Sequence, residues 1–181
     1  MGAFQDGVVF VSLVGTTAVS APDAINTVAT AIANALNHTF SAQRPLRESL
    51  LDYLRDKKLL LLLDNFEPLL PAAPLLLEML QAAPNLKLLV TSRERLNVVA
   101  AWVFDVAGLP FATAKAAEPM AYPAPLFFAE RAQQVRPDFD LGVEETAVNP
   151  ICQLVHGSPL ALELAANWVR LLSCGDIAAQ L

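Results

Sequence analysis

The chain is poor in cysteine, histidine and charge. Cys152 and Cys174 are its only thiols in 181 residues, and neither has a CxxC partner. That spacing excludes a disulfide framework and a cysteine zinc site, leaving the free buried thiol as the expectation. His38 and His156 lack any metal-ligand spacing and read as surface or helix-end residues. Charged residues make up 17% against 55% hydrophobic, so part of the surface is expected to face a neighbouring segment. The net charge is −6 and the pI about 4.8, with no basic cluster beyond Arg93-Glu94-Arg95. Such a piece is not expected to grip a nucleic-acid backbone itself, which leaves open a DNA-binding domain elsewhere in a longer protein.

Long apolar runs are also missing. None reaches the ~20 residues of a membrane span. Val8 to Val14 followed by Ala18-Val19-Ser20-Ala21 imitates a secretory leader, but Asp6 stands where a basic region is needed. Met1-Gly2 is not followed by Ser or Thr at position 6, which argues against myristoylation. A cytoplasmic location is expected.

What the chain does have is Lys58-Leu59-Leu60-Leu61-Leu62-Leu63-Asp64-Asn65-Phe66-Glu67. A continuous apolar run ending in an acid reads as a parallel strand buried on both faces, with Asp64 at its carboxyl end. Ligands of open α/β sheets collect at that edge. The simpler alternative is a core strand whose Asp caps the next turn.

Gly7 to Val14 reads as an earlier strand, Leu86 to Val90 as a later one, and Trp102 to Val106 as a fourth. Helical spacing runs from Pro22 to Leu36, from Pro45 to Lys57-Lys58, and from Ala72 to Ala82. Strands alternating with helices imply right-handed crossovers and a parallel sheet. Beyond an Ala- and Pro-rich stretch come helical patterns at Leu126 to Val135, Val143 to Val155 and Pro159 to Leu172, with another from about Asp176. The fold class is therefore α/β: a partial α/β domain over 1–110, a linker over 111–122 and a small helical domain over 123–181.

Four stretches occur in a suggestive order: Phe4–Val11, LLLLLDNFEPLL at Leu59–Leu70, LLVTSRERL at Leu88–Leu96, and GSPLALELAA at Gly157–Ala166. Together they resemble the NB-ARC-like ATPases of the STAND class, bacterial signalling and transcription-regulator ATPases. The resemblance implies a partial P-loop NTPase-type parallel sheet with flanking helices, followed by a small helical domain. It implies ATP or ADP with Mg²⁺ as cofactors. Asp64 would be the Walker B acid and metal ligand, Glu67 the carboxylate nearest an attacking water, and Arg93 a phosphate-sensing guanidinium. Asn65 would orient water, and Thr91 and Ser92 would shape the strand end. Gly157, Pro159 and Leu160 match the family's GLPL motif, with Ser158 in place of its first Leu; Pro159 would lie against adenine. Asp64, Glu67 and Arg93 are expected to converge on one sheet edge.

The same resemblance demands a phosphate-binding GxxxxGK[ST] loop, yet no Gly-Lys pair occurs anywhere in the chain. In that family the absent strand would lie between those at Leu88–Val90 and Trp102–Val106. A fragment of a longer ATPase, a misassigned start and a degenerate gene product are all open, the fragment being favoured. The implied function is part of an ATP/ADP-binding signalling switch; the alternative is a non-catalytic interaction module that has lost nucleotide binding. Weak or absent nucleotide binding is expected of this chain alone. Its expected partners are the remainder of its own parent protein, other protein domains or a second copy, with neither nucleic acid nor membrane touched by this segment.

Overall fold

The structure is a computed structural model and describes residues 3–40, 43–99, 101–112 and 122–181. It divides into two compact units, Met1–Val103 and Phe104–Leu181.

The first unit runs β1 (Val8–Ser12), α1 (Ala21–Ala35), α2 (Leu46–Leu54), β2 (Leu60–Asp64), a 3-10 segment (Glu67–Ala72), α3 (Ala73–Ala82) and β3 (Lys87–Val90). The strands form one parallel sheet in the order β1-β2-β3, with Val8 opposite Leu60 and Leu60 opposite Lys87. Successive right-handed crossovers in one direction lay their helices on one face. Val11, Leu61 and Leu63 accordingly point into a core shared with Val28 and Ile32 of α1, Leu50 and Leu54 of α2, and Leu75 and Met79 of α3.

Local chemistry fixes the ends of these elements. The Ser20 hydroxyl accepts from the Asp23 N–H at 3.4 Å, Pro22 occupies the first turn, and Asp23 sits at the positive pole of α1. Ahead of β1, the Asp6 carboxylate accepts the Lys58 N–H at 2.7 Å and the Lys57 Nζ at 3.2 Å. These two bonds, the backbone one foremost, hold its pKa below the ordinary carboxylate value. A carboxyl depressed by folding contributes stability above its unfolded pKa and loses it as pH falls through the folded one. Thermal melts should therefore be flat near neutrality and fall below about pH 4. Asp6→Asn should flatten part of that acid limb; an unchanged limb would mean that this tie contributes nothing.

Two expectations fail in this unit. The Leu run is not buried on both faces: Leu61 and Leu63 are fully buried, whereas Leu60 and Leu62 are only partly so, because the helices cover one side. The expected strand at Trp102–Val106 does not form. Trp102 is 101% exposed and its segment carries no strand pairing, since β-branched and aromatic composition makes a strand only where a neighbour pairs with it. The helix expected over Ala72 to Ala82 forms as α3, and a 3-10 segment over Glu67–Ala72 leads into it, where Pro68 and Pro71 remove amide donors.

The second unit contains α4 (Pro123–Val135), α5 (Glu145–Leu154), α6 (Pro159–Asn167), a 3-10 turn (Trp168–Arg170) and α7 (Cys174–Gln180). The helix expected over 159–172 thus ends early. Phe128, Phe139, Ile151, Leu162, Val169 and Ile177 form its core. Residues 108–112 strap onto this unit. The Leu109 N–H donates to the Gly157 carbonyl at 2.7 Å, and Asn149 Nδ2 and Gln153 Nε2 both donate to the Ala112 carbonyl, at 3.1 and 2.8 Å. Ala112 itself is buried, and of the expected linker 111–122 the stretch 113–121 lies outside the described residues.

Both cysteines are buried and free, and burial pushes each thiol up to about 12. Thiolate is the reactive species, so a thiol reagent at neutral pH should label neither until the unit is denatured. Rapid native labelling would contradict that burial. No helix among the described residues is long and apolar enough to cross a membrane.

Candidate functional site

β2 ends at Asp64, and the next residue, Asn65, turns the chain at φ 66°, a left-handed conformation that Asn tolerates better than most side chains. The turn is held from β3. The Asn65 N–H donates to Thr91 Oγ1 at 3.0 Å, the same hydroxyl donates to Asp64 Oδ1 at 2.7 Å, and the Phe66 N–H donates to the Thr91 carbonyl at 3.0 Å. Across the other neighbour, the Leu13 N–H donates to the Asp64 carbonyl at 3.0 Å. Thr91 is therefore the hub that joins the ends of β2 and β3.

Beyond the turn, Arg93 Nε donates to Glu67 Oε1 at 2.6 Å. The pair is asymmetric, with the Arg93 side chain 86% exposed and that of Glu67 only 9%. Glu67's own backbone N–H is the first cause of its lowered pKa; Arg93 adds to it and burial opposes it. Glu67 Oε2 is buried with no hydrogen-bond partner, a costly arrangement for a carboxylate oxygen. The Ser92 hydroxyl accepts from the Glu94 N–H at 3.2 Å.

The carboxyl edge thus gathers Asp64, Asn65, Glu67, Thr91, Ser92 and Arg93. Gly157, Pro159 and Leu160 belong to the second unit. Gly157 sits at φ 66° beneath the Leu109 strap, Pro159 opens α6, and Leu160 is 68% exposed. The bonding role of Thr91 exceeded what the sequence suggested. The strap anchors Asn149 and Gln153 were missed altogether, since an amide on a helix carries no spacing signal for a distant carbonyl.

The edge offers little to hold the phosphates of a Mg²⁺-nucleotide. Asp64 accepts from Thr91 and Glu67 from Arg93, and no cluster of three or more His, Cys, Asp or Glu side chains gathers among the described residues, although Mg²⁺ beside phosphates needs only one or two carboxylates. Lys57, Lys58 and Lys87 stand before or at the amino ends of β2 and β3, on the opposite edge. A phosphate at Asp64 would find only arginines after β3. Calorimetry with Mg²⁺-ATP is expected to show no saturable binding in the micromolar range, about 8 kcal/mol of association free energy. Saturation there would reveal a phosphate site formed some other way.

The chain is 34% identical over 176 residues to proteins named "Putative HTH-type transcriptional regulator" in Mycobacterium bovis and Mycobacterium tuberculosis. The match takes in 96% of this chain but 18% of theirs, so the chain spans less than a fifth of the length of those regulators. An uncharacterised Mycobacterium bovis protein is 33% identical over 136 residues, 74% of this chain and 32% of its own. No protein-family model matches the chain. These findings overturn the resemblance to NB-ARC-like STAND ATPases, with its ATPase and nucleotide-switch vocabulary. The ATP/ADP-binding switch and its alternative, an interaction module that has lost nucleotide binding, are corrected with it; the names of the relatives speak of transcription regulation and of neither.

Proposed function

We propose that the chain is a control segment of an HTH-type transcriptional regulator, acting in the cytoplasm on the rest of its polypeptide or on a second copy. The observation that carries this is the similarity to such regulators along 96% of the chain. DNA contact by the whole regulator is part of the proposal, but this segment is a poor candidate for making it. Among the described residues of the second unit, the only helix pair joined by a short glycine-containing turn is α5–α6, with Gly157 between them. A recognition helix needs polar and basic side chains toward the groove. On α6 the exposed positions include Leu160, Glu163, Leu164 and Asn167. Of the unit's arginines, Arg136 is paired with Glu144 and stacked on Phe139 and Arg131 is stacked on Phe127, which leaves exposed Arg170, in the turn after α6, as a single cation. With the net charge of −6, little attracts a phosphate backbone.

The carboxyl edge is the part of the segment we assign to control. The Glu67–Arg93 pair combines an exposed cation with a buried, incompletely bonded carboxylate, so a ligand or neighbouring segment that engages Arg93 changes the balance at Glu67. The test is a chimera of the Mycobacterium tuberculosis regulator carrying this chain in place of its matched region. Reporter output from the chimera should follow that of the parent, and Arg93→Ala or Glu67→Gln should change it several-fold at constant protein level. Output equal to that of a regulator lacking the segment would refute a control role.

A further inference from the structure

We propose that the outer row of α6 and the 3-10 turn after it is a self-association surface. Its occupant is a second copy of the chain, docked about a two-fold axis with the two helices antiparallel. Leu162, Ala165, Ala166 and Val169 of this stretch are buried in the core of the helical unit. Leu160, Leu164, Trp168 and Leu171 face outward, at 68%, 57%, 40% and 88% exposure. Steps of four, four and three residues keep them on one side of a helix, so the stretch is apolar both inside and outside the unit. One exposed leucine means little, whereas a continuous row over about three turns marks a contact surface.

The charges beside the row select the occupant. Glu163 and Arg170 are the only charged residues from Pro159 to Leu171, both are exposed, and among the described residues neither forms an ion pair. Seven residues is about two turns, so both lie on one flank of the row, and the other flank, with Ala161, carries no charge. Antiparallel copies set the charged flank against itself. An axis between Ala166 and Asn167 then puts each Glu163 opposite the partner's Arg170. It also brings Leu164 beside the partner's Trp168 and Leu160 beside the partner's Leu171, each within about 3 Å along the helix. Parallel copies would set the charged flank against the uncharged one and leave both ions unpaired. A two-fold contact uses one patch twice, so the patch must complement itself, and this one does. On α4 and α7, which pack against this stretch, the charges are engaged: Glu130 with Arg131, Arg136 with Glu144, and Asp176 with the Ser173 hydroxyl. A row of four side chains falls short of the roughly 800 Å² per partner of a stable interface, so the dimer is weak.

Sedimentation of the full chain in about 0.15 M salt, which screens the repulsion of like-charged copies beyond ~8 Å, tests this. It should show a reversible monomer–dimer equilibrium with a midpoint of roughly 100 μM. Leu164→Glu, at an exposed position, should weaken dimerisation about a hundredfold. Glu163→Arg and Arg170→Glu should each weaken it about tenfold, because each reversal creates two like-charge contacts across the axis. Mixing these two variants should restore a dimer of parental strength, since the reversed residue of each meets its opposite on the other. Phe10→Lys, at an exposed position of β1 in the other unit, should change nothing. A chain still monomeric at millimolar concentration, a dimer indifferent to Leu164→Glu, or one abolished by Phe10→Lys would overturn the proposal. So would a mixture that associates no more tightly than either charge variant alone, because the antiparallel pairing would then be absent.

Discussion

Gly157→Ala is expected to unfold the helical unit at temperatures where the parent chain is native. Gly157 holds φ 66°, and a Cβ built on it would lie 2.0 Å from the Leu109 carbonyl oxygen. The clash is with backbone, and that same strap is fastened by the 2.7 Å bond from the Leu109 N–H to the Gly157 carbonyl. Relief requires lifting residues 108–112 off α5, which breaks that bond and exposes Ala112. The left-handed conformation adds its own penalty for any residue with a Cβ. Together these belong with the large point-mutant effects, about 3–5 kcal/mol. Gly108→Ala meets the same crossing from the other side, its Cβ 2.2 Å from the His156 carbonyl oxygen. Gly175→Ala is the control, because its Cβ would meet only Ser173 Oγ at 3.8 Å. Hydrogen exchange of the α5 and α6 amides should collapse in the first two variants and persist in the third. Parent-like protection in Gly157→Ala would mean that the strap is not part of the folded unit.

The second large effect is expected in the sheet unit. Phe66 is fully buried, directly after the left-handed turn at Asn65 and at the start of the 3-10 segment. Its ring fills the core among residues of the sheet and helices, and its N–H holds the Thr91 carbonyl. Phe66→Ala removes the ring and leaves a cavity in a close-packed interior, a loss of about 3–5 kcal/mol. Denaturant midpoints of sheet-unit probes should shift accordingly. The damage should also reach the carboxyl edge, loosening Thr91 from Asp64. A small shift with an intact Thr91 resonance environment would show that this core collapses readily around the gap.

The three strands that form were legible because each is a short apolar run bounded by turn residues or charge. The covering of β2 was not, since Leu60 through Leu63 are identical on both faces and periodicity cannot say which side has helices. Trp102–Val106 has the composition of a strand without the neighbour that would make it one. The convergence of Asp64, Glu67 and Arg93 on one edge follows from parallel topology alone, whatever the edge does. That generality also explains why a loose set of motifs misled: Asp64 at the end of its strand, Thr91 at the end of the next and Gly157 before α6 each serve the fold's own turns. Asp64 is engaged by Thr91, and Gly157 is required by the strap, before any ligand is considered. The buried oxygen of Glu67 left no trace in the sequence, because it depends on how the 3-10 segment packs.

On the function proposed above, the segment controls a regulator without contacting its DNA. Fluorescence anisotropy on duplex DNA selected by the Mycobacterium tuberculosis regulator, over a range of salt, measures this directly for the isolated chain and for the chimera. The isolated chain should leave the anisotropy unchanged at about 0.15 M salt, where surface charge is screened beyond ~8 Å, while the chimera binds with the affinity and salt dependence of its parent. Salt-dependent binding by the isolated chain, at an affinity comparable to that of the chimera, would contradict the account and place the DNA-contacting surface within these 181 residues.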